Sequence, residues 1–141
     1  MQVSEVMTRD VQLVPPSTSI VDAARQMRDS DVGALPVGEN GQLSGMVTDR
    51  DIVIRAVAEG RAADEAIAEV LSPDVVSCRE SDSVEDAANL MSQHQIRRLP
   101  VVGDNQQLVG ILALGDVARN DPDSGGAALD DISEPADQQS S

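Results

Sequence analysis

Ser19-Ile-Val-Asp22-Ala-Ala24-Arg-Gln-Met27 returns 64 residues later as Ser83-Val-Glu-Asp86-Ala-Ala88-Asn-Leu-Met91, and Leu35-Pro36-Val37 returns at the same offset as Leu99-Pro100-Val101. After one inserted residue the match resumes at an offset of 65, where Gly45-Met-Val-Thr-Asp-Arg-Asp51-Ile52 answers Gly110-Ile-Leu-Ala-Leu-Gly-Asp116-Val117. Two copies are too few for a solenoid and too alike for chance, which implies a pseudo-two-fold pair packed face to face. A unit of about 60 residues is marginal alone, so the copies are expected to fold together around a shared core. Such symmetry predicts two equivalent clefts.

Working outward from the repeat, Ser19 and Ser83 each stand three residues before an Asp, as in a capping box. Ile20, Ala23, Ala24 and Met27 then follow the spacing of one buried helix face. Helices are therefore expected from Ile20 to Asp29 and from Val84 to His94. Strands are expected at Ala34 to Val37 and Leu43 to Thr48, split by Gly38-Glu-Asn-Gly41, and at Leu99 to Val102 and Leu108 to Ala113, split by Gly103-Asp-Asn. A second helix is expected in each copy, Asp49 to about Glu59 and Gly115 to about Arg119. Each copy opens with a short amphipathic turn, Glu5-Val-Met-Thr8 or Glu69-Val-Leu-Ser72, and then an extended stretch, Val11 to Val14 or Val75 to Val76. The expected class is α/β (α+β), each repeat carrying a small three-stranded sheet packed by two helices. The expected divisions are a first repeat over 1–60, a helical connector over 61–69, a second repeat over 70–120 and a flexible acidic tail over 121–141. That tail holds only Leu129 and Ile132 as large apolar side chains, too few to offset the entropy of ordering.

Composition excludes several function classes. The chain has 25 acidic and 10 basic residues, a formal net charge of −15, no Lys and no aromatic residue. Sequence-independent attraction to nucleic acid or to an anionic membrane is therefore not expected, and no base-stacking platform can exist. The acid surplus suits a high-salt cytoplasm, as in a halophile, where screening relieves self-repulsion; an ordinary acidic protein is the alternative. Neither an apolar run of about 18 residues nor a basic, hydrophobic leader is present, so the protein reads as soluble and cytoplasmic. A single cysteine, Cys78, rules out an internal disulfide and reads as a small core filler. His94 has no second His or Cys placed to build a metal site. No base, nucleophile or metal cluster supports an enzyme.

Val6-Met7-Thr8 and Val70-Leu71-Ser72, the two Leu-Pro-Val strands, and the segments from Gly45 to Asp51 and Gly110 to Asp116 come in one order, twice. In that order they resemble the cystathionine-β-synthase (CBS) domain over roughly Val3 to Arg119. The resemblance implies a non-catalytic regulatory module that binds an adenosine ligand (AMP, ADP, ATP or S-adenosylmethionine), works as a homodimer and signals to an unidentified protein. A ligand-free interaction or assembly module is the alternative. It implies that the Asp closing each segment accepts the ribose hydroxyls and that the Ser/Thr hydroxyl approaches phosphate. Chemistry agrees, since a carboxylate can accept from both hydroxyls of a cis-diol. Thr48-x-x-Asp51 is equally a helix capping box, and in the first copy the two readings coincide. In the second copy Ala113 takes the place of the hydroxyl, which singles out the first segment as the better site. By the family's crossed arrangement that site would comprise Thr48, Asp51, Ser72, Val76, Ser77, Cys78, Ile96, Arg97, Leu99 and Pro100. The weaker site would comprise Thr8, Leu13, Val32, Gly33, Pro36 and Asp116. Arg97 and Arg98 replace Gly33 and Ala34 of the first copy; they suit a phosphate through their planar forks, or else pair with surface acids. Ile52, Val53, Ile54, Ala56 and Val57 make the helix after Asp49 apolar on more than one face, as a dimer contact requires.

Overall fold

The structure, a computed structural model, describes residues 1–72 and 75–120. The expected tail, 121–141, lies outside the described residues. Helix α1 covers Ile20–Ser30 and α3 covers Val84–His94. Each begins where a serine hydroxyl accepts a backbone N–H three residues on, Asp22 N to Ser19 Oγ at 3.1 Å and Asp86 N to Ser83 Oγ at 3.0 Å. Of the reciprocal box expected there, the structure forms this serine half. Each helix ends on a left-handed residue, Asp31 or Gln95, at equivalent positions.

Strands β1 (Ala34–Glu39) and β2 (Gln42–Thr48) form an antiparallel hairpin. Its turn is Asn40-Gly41, with φ of 54° and 79°, the left-handed pair that the tight hairpin turn demands. Helix α2, Asp49–Asp51, runs on into a π-helical stretch, Ile52–Val57. In the second copy β3 (Cys78–Arg79) pairs in parallel with β4 (Arg98–Val102), β4 pairs antiparallel with β5 (Leu108–Ala113), and α4 covers Leu114–Asn120. The second copy thus has the expected three-stranded sheet. In the first, the matching third strand is reduced to one bridge, Val14 to Val37, at positions equivalent to Cys78 and Val101.

The chain packs as two units, and they are not the sequence repeats. Among the described residues, one combines Met1–Val11 with Val76–Asp104 and 108–120; the other combines 12–72 and Val75 with Asn105–Gln107. Each opening segment therefore belongs to the unit built on the other copy. In the first unit Gln2 bridges Ser83 and Thr8 bridges Ile111; in the second, Ala66 bridges Ser19 and Ser72 bridges Met46. In place of one shared core there are two clusters. One holds Val3 and Met7 among Val84, Met91, Leu99, Val101, Leu112 and Val117. The other holds Ile67 and Val70 among Ile20, Met27, Val37 and Val47. Fully burying one such side chain is worth about 1.5–3 kcal/mol, so neither core is complete without its borrowed opening.

Two glycines permit this exchange. A Cβ on Gly110 would stand 2.8 Å from both Met7 Sδ and Thr8 O, and one on Gly45 would stand 2.6 Å from Leu71 Cδ1 and 3.1 Å from Ser72 O. The connector departs from expectation. Its Ala-rich sequence favours helix, yet only Ile67–Glu69 forms a single 3-10 turn. The backbone is instead committed to α1 and the segment before it: Ile20 N donates to Glu65 O, Val21 N to Ala63 O, and Ile67 N to Thr18 O.

Candidate functional site

The two motif ends are built alike and finished differently. At the end of β2 the Thr48 Oγ1 accepts from Asp51 N at 3.0 Å while Asp51 Oδ2 accepts from Thr48 N at 3.0 Å, a closed reciprocal box. The remaining oxygen of Asp51 lies 3.9 Å from Arg55 Nε, and the carboxylate is only 12% exposed. Gly33 O accepts from Asp49 N nearby, and Ser72 N donates to Met46 O. Thr48, Asp51, Ser72, Leu13, Val32, Gly33 and Pro36 all belong to this unit.

At the end of β5, Ala113 offers no hydroxyl to close such a box. Asp116 instead pairs with Arg119 one turn along α4. Around this pair the unit opens a cavity of about 650 Å³ lined by Thr8, Arg97, Arg98, Ile111, Ala113, Leu114, Gly115, Asp116, Ala118 and Arg119. Thr8 is held at its rim by two backbone bonds to Ile111, and Arg97 is fixed by its carbonyl, which accepts from Leu114 N at 2.9 Å. Three of the chain's ten basic residues thus line one cavity, whose lining holds a single carboxylate.

This regroups the residues expected from sequence. Arg97, assigned to the Thr48 and Asp51 cleft, stands in the wall of the Asp116 cavity because the loop ahead of β4 runs beside the start of α4. Ile96, Val76, Ser77 and Pro100 belong to that same unit, and Leu13, Val32, Gly33 and Pro36, assigned to Asp116, belong to the other. Leu99 and Cys78 are core side chains, fully or almost fully buried. Burial, with Asp82 nearby, pushes the Cys78 thiol up to about 12, leaving it protonated and unreactive near neutrality. Arg119, which lines the cavity and pairs with Asp116, is not singled out by the sequence motifs, although its i, i+3 spacing from Asp116 is a readable signal. Among the described residues no group of three His, Cys, Asp or Glu side chains could hold a metal, and no helix is long and apolar enough to cross a membrane.

A pair of α/β repeats with exchanged openings, and a cavity lined by three arginines beside the last motif helix, sets the class. The CBS domain family model matches residues 3–57 and again 67–123, and the chain belongs to that family. It is 50% identical over 133 residues to the CBS domain-containing protein YhcV of Bacillus subtilis, covering 93% of this chain and 94% of YhcV. Among solved structures it is similar to hypoxic response protein I with two coordinated zinc ions (34% identity, TM-score 0.77, covering 85% of this chain and 98% of that one). It is also similar to CBSX2 in complex with AMP (31%, TM-score 0.75, 86% and 96%). A third is the CBS domain pair of MJ0100 with 5′-methylthioadenosine and S-adenosyl-L-methionine (28%, TM-score 0.74, 85% and 94%). Relatives that bear enzyme names, a homoserine O-acetyltransferase and an inosine-5′-monophosphate dehydrogenase, are matched over 22% of their length. That distribution places the chain with the non-enzymatic CBS pairs.

Proposed function

We propose that the protein is a non-catalytic sensor of an adenine nucleotide and that the Asp116 cavity is a binding site for it. The observation that carries this reading is that Arg97, Arg98 and Arg119 line one cavity with Asp116 in a chain of net charge −15. A volume of about 650 Å³ falls within the range of small-molecule sites. The carboxylate can accept from a ribose cis-diol, and guanidinium forks donate bidentately to phosphate. The AMP bound to CBSX2 and the adenosine ligands bound to MJ0100 support the ligand class. The Thr48 and Asp51 end is ranked second, reversing the order expected from sequence, because both groups already satisfy each other.

Sensing needs two states of different affinity, and a second copy is the partner we propose. Val53, Ile54 and Val57 on the π-helical stretch are 54%, 47% and 69% exposed, an apolar face suited to self-association. Added salt should strengthen such a dimer by screening repulsion between two acidic chains. A monomer by sedimentation at every salt concentration would contradict it. The binding test is thermal stability with AMP. At 100 times its dissociation constant the ligand should add about 2.7 kcal/mol of stability, and Asp116→Ala should remove about half of that gain or more. An unchanged melting temperature in wild type would reject the nucleotide reading.

A further inference from the structure

We propose that Arg119 is a phosphate-operated latch on Asp116 and restricts the cavity to phosphorylated adenosine ligands. This rests on the reading of the cavity as a nucleotide site and says what that site selects. Asp116 is 20% exposed, sheltered at the base of α4, while Arg119 is 72% exposed and reaches back to it from solvent. The guanidinium Nη2 sits on Oδ1 of Asp116, and Asn120 Nδ2 donates to the Asp116 carbonyl, fixing the backbone of the same turn. A ribose cis-diol that donates one hydroxyl to each carboxylate oxygen competes with Arg119 for Oδ1, so Arg119 opposes a ligand that grips Asp116 in this way.

The cost of that competition depends on the ligand. A nucleoside takes Oδ1 and leaves Arg119 without an anion. A nucleotide brings its own anion into the cavity that Arg119 lines, so one charge-assisted bond is exchanged for another. A sulfonium nucleoside is worse placed still, because it adds a cation to a wall that already carries Arg97, Arg98 and Arg119. Thr8 and the Gly115 backbone complete the wall and bring no further charge. Arg119 is therefore a specificity residue: it holds the ribose acceptor closed until phosphate draws it away.

The test is calorimetric titration of the full chain with AMP, adenosine and S-adenosylmethionine, with the amide shifts of Gly115 and Ala118 reporting occupancy of this cavity. Arg119→Ala should weaken AMP by about 10-fold or more, the worth of a hydrogen bond between charged groups. The same substitution should tighten adenosine by about 2- to 5-fold, the scale of an exposed ion pair released from Asp116. Arg119→Lys, which keeps the charge, should preserve most of the preference for AMP. Movement in opposite directions is the signature, since a merely structural role would weaken both ligands together. Parallel losses, or an adenosine affinity that stays unchanged, would overturn the latch while leaving the nucleotide site standing. S-adenosylmethionine binding as tightly as AMP would overturn the charge selection. If AMP gives neither heat nor shifts at Gly115 in wild type, the site reading falls and the latch with it.

Discussion

Thr48–Asp51 and Ala113–Asp116 occupy the same place in the two copies, at the junction of the last strand and the motif helix, and they put an identical carboxylate to different use. Where the hydroxyl is present, Asp51 is folded into its own helix start. Where it is absent, Asp116 is left to a long, exposed arginine beside an open cavity. One hydroxyl separates a carboxylate closed into its own helix start from one that pairs with an exposed arginine at a cavity.

The sharpest way to probe the two copies is through their cores. Leu99→Ala should cost about 2–5 kcal/mol in denaturant unfolding, and its mate Leu35→Ala should fall toward the lower end of that range. The reason is exposure, 0% against 9%. A larger loss at Leu35 would show that the first-copy core is the tighter one.

The carboxylates themselves come next. Asp116→Ala should weaken AMP by about 10-fold or more with little change in stability, since its partner Arg119 is solvated. Asp51→Ala should do the reverse, costing about 1 kcal/mol of stability through the lost box while AMP binding at the Asp116 cavity holds. Equal effects of both substitutions on AMP would erase the distinction between the two carboxylates. A smaller change runs in the opposite direction: Ala113→Thr supplies the missing cap oxygen and should raise stability by about 0.5–1 kcal/mol by thermal unfolding. No gain would mean that the backbone at Ala113 is not disposed as it is at Thr48.

The cysteine offers a comparison by pH. Its mate is Val14, which cannot ionise. Because the folded thiol is raised to about 12 against an ordinary value of 9.0, the unfolded chain loses its proton first as pH climbs. Stability should therefore decline between those two values, and Cys78→Val should remove that part of the decline. A thiol reagent that labels the native protein at pH 8 as fast as the unfolded chain would refute the burial on which this rests. The smallest effect is expected at Glu65, whose carboxylate is held low by the Ala62 N–H and then by Arg61. That contribution is present above the ordinary carboxylate range and lost as pH falls. Glu65→Gln should thus lower the melting temperature slightly at pH 7 and not at pH 3; an equal drop at both would point to a cause other than charge.

Much of this is legible in the chain. Periodicity and capping serines place α1 and α3 within a residue, and the Asn40-Gly41 turn fixes the first hairpin. The family resemblance groups Thr8 with Asp116 and Ser72 with Thr48, and the structure brings each of these pairs into one unit. The connector is misleading because intrinsic propensity favours helix there, whereas its N–H and C=O groups are taken by α1 and Thr18. Sequence groups Arg97 with Asp51, whereas its place in the lining of the Asp116 cavity depends on the Leu114 N–H bond, a contact that no local pattern encodes. The closed state of Asp51 is likewise an even choice in sequence, since the same two residues serve a capping box or a ribose site and only the paired distances separate them.

The exchanged openings also constrain the order in which the molecule can be made. Ribosomal synthesis is vectorial, so Val3 and Met7 emerge well before Val117, the last of the side chains that enclose them. The unit around Ile67 and Val70 has its buried cluster complete by Val70 and can consolidate while the rest is still being translated. The N-terminal segment must meanwhile wait as an unpaired apolar stretch until Val117 has been added. Long-range closure of this kind is slow and leaves sticky surface exposed. The cluster around Ile67 and Val70 should therefore consolidate first, with Val3 and Met7 finding their place only after Val117 has been made.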